Sequence, residues 1–169
     1  TNYHYIVPEI EDDTKITLNA DKLFNEYFEA KRLGIETKPV VIGAFTMLKL
    51  IRYTGKKTAD DFAEAIIRAY QELLAKCNEE QVEWLQFDEP SLVKDLDAED
   101  IELFRRIYDN ILSDAGKCRV LLQTYFGDVR DIYADLIRMP FAAIGLDFIE
   151  GRQTCELIEK FGFPQDKTL

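Results

Sequence analysis

The sequence is poor in the side chains that most often hold metals or move protons. It has a single histidine, His4, and three cysteines, Cys77, Cys118 and Cys155, with no Cys-x-x-Cys pair. A zinc site is disfavoured by that inventory. An odd number of widely spaced cysteines suits free, mostly buried thiols in a reducing compartment, so a cytoplasmic location is expected. No apolar run approaches the ~18 residues that a bilayer crossing needs. Basic residues are scarce: Lys and Arg total 21 against 32 Asp and Glu, a net charge of −11. This balance argues against a broad nucleic-acid or anionic-membrane surface, and an anionic ligand would need a local basic patch. A glycine-rich phosphate loop is also missing. The residues after the opening apolar run, from Pro8 to Asp13, are acidic and contain no glycine, which counts against a doubly wound dinucleotide fold.

What is present reads as strands alternating with helices. Five short runs, at 3–7, 39–43, 82–88, 119–126 and 142–149, are rich in Val, Ile, Leu and aromatic residues and have strand character. Several are near-continuous, which predicts strands covered on both faces, as in a parallel sheet. Apolar residues at helical spacing mark a helix over 58–78, through Phe62, Ile66, Ala69, Tyr70, Leu73, Leu74 and Cys77. Thr58 is its expected N-cap, with Asp61 completing a capping-box variant. A second helix is expected over 97–115, capped by Asp97 and stopped by Gly116. Further helices are expected over 21–33, 128–138 and 152–161, with a short one over 46–53. The polar segment 9–19 reads as a loop. This order predicts parallel strands with helical crossovers. The architecture that fits is a (β/α) barrel, which gathers functional groups at the carboxyl ends of its strands.

Those ends are where the chemistry-bearing residues lie. The third run leads into Asp88, Glu89 and Pro90, the fourth passes through Thr124 and Tyr125 into Asp128, and Gly145 and Asp147 belong to the fifth. Asp88 and Glu89 are neighbours on a strand end, so their side chains diverge and do not form an acid/base pair. One is expected to accept hydrogen bonds from backbone N–H groups and the other to face a neighbouring strand. His4, without an activating partner, reads as a core or pocket residue rather than a catalyst. Lys49, Arg52, Lys56 and Lys57 form a basic cluster that reads as a solvated helix face.

Five stretches taken together carry a resemblance. They are TNYHYIVPE at the start, KPVVIGAFTMLKL from Lys38, VEWLQFDEPSLV from Val82, LLQTYFGDV from Leu121 and GLDFIEG from Gly145. In this order they resemble the N-terminal half of the cobalamin-independent methionine synthase family, across essentially the whole chain. The resemblance implies residues 1–169 form a single partial (β/α) TIM-type barrel segment of about five parallel strands, from the N-terminal domain of a two-barrel enzyme. It implies a parent methyltransferase that moves a methyl group from methyltetrahydrofolate polyglutamate to homocysteine, with zinc in the C-terminal barrel. No catalytic residue and no metal ligand carries over to this chain. Asn2, Tyr3 and His4 are implied to line the folate-tail side, with Asp88 and Glu89 as pocket or structural residues. Because residues 3–7 already read as a strand interior, Thr1 is expected to have been joined to earlier strands.

Two other readings stay open from the residues alone. One is a stand-alone enzyme of the barrel superfamily, with Asp88, Asp128 and Asp147 as working carboxylates. The other is an assembly module whose open sheet edges pair with another chain. Five strands do not close an eight-stranded barrel. A partial barrel is therefore expected to have exposed edges and a half-open core, covered by a dimer or by the rest of the parent.

Overall fold

In a computed structural model the fold is described for residues 7–169. The elements are β1 (Glu9–Ile10), α1 (Asp21–Arg32), β2 (Val40–Ile42), α2 (Ala44–Leu50), β3 (Arg52–Tyr53), α3 (Ala59–Glu79), β4 (Trp84–Asp88), α4 (Ala98–Ile111), β5 (Arg119–Gln123), α5 (Tyr133–Leu136), β6 (Ala143–Gly145) and α6 (Thr154–Phe161). Short 3-10 turns follow β4 and α4. All strand pairings are parallel. A four-stranded sheet has the order β2-β4-β5-β6, and β1 pairs with β3 in a separate ladder. Past β6, Thr168 bridges to Ala143 in parallel, so the arc continues in the same sense. Fold class and strand direction agree with the expected (β/α) pattern.

The long helices form where the sequence places them, because their ends are chemically marked. Thr58 and Asp61 close the capping box of α3, with the Thr58 N–H donating to Asp61 Oδ2 at 2.8 Å. Asp97 caps α4 by accepting from the Asp100 N–H at 2.9 Å. Both helices bury apolar stripes, Phe62, Ile66, Leu73 and Leu74 on α3 and Phe104, Ile107, Tyr108 and Ile111 on α4.

Several expected boundaries move. Segment 9–19 is not all loop: Glu9 and Ile10 pair with Arg52 and Tyr53. That pairing also ends the helix expected over 46–53 at Leu50. The helix expected over 128–138 reduces to one regular turn, Tyr133–Leu136, inside a run of i→i+3 and i→i+4 hydrogen bonds from Val129 to Met139. The strand expected to reach Phe126 stops at Gln123, since Phe126 has a left-handed φ of 72°. The one expected to reach Ile149 stops at Gly145, ahead of a turn built on Asp147. The strand expected over 3–7 lies outside the described residues, apart from Val7.

Register explains the most consequential correction. Leu85, Phe87, Val120, Leu122 and Ile144 share one sheet face and are buried under the helices. Trp84, Gln86, Asp88, Leu121 and Gln123 share the other face, and all are only half-buried. Val40, on the same side, is 47% exposed. The sheet is thus covered on one face, not on both. The near-continuous apolar runs reflect one packed face and one half-open face of the kind that lines a barrel.

Candidate functional site

Four strands present their carboxyl ends on one side of the sheet: Ile42, Asp88, Gln123 and Gly145 form its last aligned row. Alternation sends Asp88 and Glu89 in opposite directions. Glu89 turns inward and is fully buried. Its carboxylate accepts from the N–H groups of Phe45 at 2.9 Å and Thr46 at 2.7 Å. It also accepts a short hydrogen bond from the Tyr108 hydroxyl. That hydroxyl in turn accepts from the Ala44 N–H at 3.2 Å. Glu89 therefore joins the end of β4 to the first turn of α2 and to α4. Gly43 is required by this approach, because a Cβ there would lie 2.2 Å from the Glu89 carboxyl carbon. Burial pushes Glu89 up to about 7, against the pull of its hydrogen-bond donors.

Asp88 points to the open face. Its Oδ1 accepts from Gln86 Nε2 at 2.7 Å and its Oδ2 from the Tyr125 hydroxyl at 3.4 Å. Beside it, the Gln123 amide lies over Gly145, where a Cβ would come within 2.0 Å of Gln123 Oε1. Gln86 and Gln123 are the members of this polar group that sequence reading missed. The signal was available: Gln86 is two residues from Asp88 on one strand and so shares its face, and Gln123 is two residues from Tyr125 in the run read as a strand over 119–126.

The other two carboxylates are taken up by their own loops. Asp147 accepts from the N–H groups of Phe126, Ile149 and Glu150, each at 2.8 to 2.9 Å. The backbone donors of Glu150 and Ile149 hold its carboxyl below the usual range. Asp128 accepts from Arg130 Nη1 at 3.0 Å and from the Gln153 N–H at 3.3 Å. The basic cluster is dispersed, not one helix face. Lys49 pairs with Asp100 at 2.7 Å, Arg52 with Glu9 at 2.9 Å, and the Lys56 and Lys57 N–H groups with Asp12. Cys77 and Cys118 are buried and Cys155 is exposed. A hydrogen bond between the first two thiols, with burial, pushes Cys77 up, and the same bond pulls Cys118 down.

Asn2, Tyr3 and His4 lie outside the described residues. Among the described residues no three His, Cys, Asp or Glu side chains are grouped to hold a metal ion, so they do not fit a zinc centre. Among them, too, no helix is long and apolar enough to cross a membrane.

Residues 1–169 match the family model described as cobalamin-independent synthase, N-terminal domain. The chain is 53% identical to the 5-methyltetrahydropteroyltriglutamate–homocysteine methyltransferase of Campylobacter jejuni subsp. doylei and 54% identical to that of Streptococcus sanguinis. Both alignments cover 100% of this chain and 22% of the relative, so the chain spans about a fifth of these relatives' length. Among solved structures, vitamin-B12-independent methionine synthases of Listeria monocytogenes and Shewanella sp. W3-18-1 share the fold, with TM-scores of 0.69 and 0.67 at 14% and 15% identity. Those alignments cover 83% of this chain and 48% and 47% of the respective structures. The chain belongs to the N-terminal domain family of the cobalamin-independent methionine synthases.

Proposed function

We propose that the natural polypeptide carrying this chain transfers a methyl group from methyltetrahydropteroyl polyglutamate to homocysteine. In that reading this segment is a non-catalytic scaffold on the folate-tail side, and the zinc that activates the homocysteine thiol is held elsewhere in the polypeptide. The observation that carries it is the family match over every residue of the chain. The donor set supports the division of labour: a thiolate nucleophile at neutral pH needs a metal or a cationic partner, and the described residues group no such ligands. Asn2, Tyr3 and His4 belong to the folate-tail side in this reading. Asp88 lines the open face, and Glu89 serves the scaffold. The activity belongs in the cytoplasm. Residues 1–169 alone are inactive and associate through their open sheet edges.

The experiment compares methyl transfer and zinc content in the 169-residue chain and in the natural polypeptide. Turnover with stoichiometric zinc only in the natural polypeptide is the expected result. Zinc-dependent turnover by the 169-residue chain at an enzyme-like rate would overturn the assignment.

A further inference from the structure

Among the described residues, the open face carries an unbalanced charge. Asp88 sits in the last row of the sheet, half-buried, and no ion pair involves it among the described residues. Its neighbours add acceptors, not a cation. Gln86 and Gln123 spend their amide N–H groups on Asp88 Oδ1 and on the Thr124 carbonyl. Their Oε1 atoms accept from no donor among the described residues. Tyr125, the titratable group facing Asp88, adds one long hydrogen bond. Among the described residues, the nearest cation on this face by register, Arg119, is four residues back along β5 from Gln123, ~13 Å at the usual strand rise. It is engaged there with Glu83 and the Trp84 ring.

An open face of this kind cannot simply be closed over. A sheet with half-buried Trp84, Leu121 and Ile42 on one side is incomplete, and relatives more than four times as long supply the chain to complete it. Enclosure would strip water from Asp88, and an enclosed carboxylate needs a paired charge or, as Glu89 has, a full set of hydrogen-bond donors, whereas Asp88 has one short and one long hydrogen bond. A carboxylate with the Gln86 side chain hydrogen-bonded to it and Gln123 beside it in register matches a planar guanidinium, or less fully an ammonium group.

We propose that an arginine or lysine side chain from the part of the natural polypeptide outside this chain lies against Asp88, with Gln86 and Gln123 as its neutral acceptors. Asp88 is then an internal docking point between this segment and the one that closes over it. This rests on the reading that the chain is a segment of a longer synthase, but its test does not use methyl transfer.

The test is Asp88→Asn, with Asp88→Glu as the charge-preserving control, each in the natural polypeptide and in the 169-residue chain. Stability of the N-terminal unit is read by pulse proteolysis. In the natural polypeptide at pH 7.5, Asp88→Asn should lower the folding equilibrium constant about tenfold or more, because the cation is left enclosed without its partner. Asp88→Glu should restore much of the loss. In the 169-residue chain, where no cation among the described residues faces Asp88, the same substitution should be neutral. A neutral or stabilising Asp88→Asn in the natural polypeptide overturns the proposal, since an enclosed carboxylate without a cation gains from neutralisation. If methyl transfer were absent but Asp88→Asn behaved as described, the functional reading would fail and this one would stand.

Discussion

Replacing Glu89 by Gln should change how stability depends on pH, and the structure sets the size and sign of the effect. Glu89 is fully buried, and burial raises its pKa from 4.5 to about 7. The unfolded chain ionises this carboxyl near 4.5 and the folded chain does so only near 7. Below pH 4.5 both states hold the proton, and the favourable contribution is fully present. As pH rises from 4.5 to 7 the unfolded state ionises first, so folding weakens, and above 7 the loss levels off. At ~1.36 kcal/mol per pH unit the total is about 3 kcal/mol. Glu89→Gln removes the titration. It also turns an amide N–H₂ toward donors that include the Thr46 N–H, which costs about 1–3 kcal/mol at every pH. The variant should therefore be the less stable form at pH 4.5, and the gap should narrow or reverse by pH 7.5. Urea unfolding of both proteins across pH 4 to 8 measures this directly. A difference that stays constant over the range, or grows toward high pH, would refute the reasoning.

Two further substitutions probe the packed face and the loop at its rim. Phe87 is fully buried between the rings of Tyr70 and Tyr108, at centroid distances of 5.5 and 6.0 Å. Phe87→Ala should cost about 3–5 kcal/mol in equilibrium unfolding, and a loss below ~1 kcal/mol would mean that the core has been misplaced. Phe126 holds φ at 72° while its side chain is 77% exposed. Phe126→Gly should relieve the left-handed backbone while giving up little packing, and stabilise the fold by about 1 kcal/mol or less. A clear fall in melting temperature would show that the ring, packed edge-on against Tyr125, matters more than the backbone.

The parts of the fold legible in the sequence were those governed by local chemistry. Thr58, Asp61 and Asp97 mark helix starts within three residues of themselves, and Leu85, Phe87, Val120 and Leu122 mark the strand cores by type. Distant partners set what was not legible. The two-residue strand at Arg52 and Tyr53 exists because Glu9 and Ile10 lie beside it, and nothing in a window around either segment shows that pairing. The carboxyl ends of β5 and β6 are cut short by one device, Asp147, which holds the Phe126 N–H from 21 residues away. At the site, the divergence of Asp88 and Glu89 follows from strand alternation. The inward role of Glu89 depends on the start of α2, 43 to 44 residues earlier. Gln86 and Gln123 were readable by period-two spacing, but polar side chains in apolar runs draw less notice than carboxylates.

The central claim is that this segment is an arc of a (β/α) barrel, packed on its helical face and open on the other. Hydroxyl-radical footprinting of the dilute 169-residue chain and of the natural polypeptide tests it directly, because neighbouring residues serve as internal controls. In the chain, Trp84 and Leu121 should be oxidised much faster than Leu85 and Leu122, and in the natural polypeptide that contrast should disappear as the open face becomes enclosed. Equal protection of all four residues in the monomeric 169-residue chain would contradict the account.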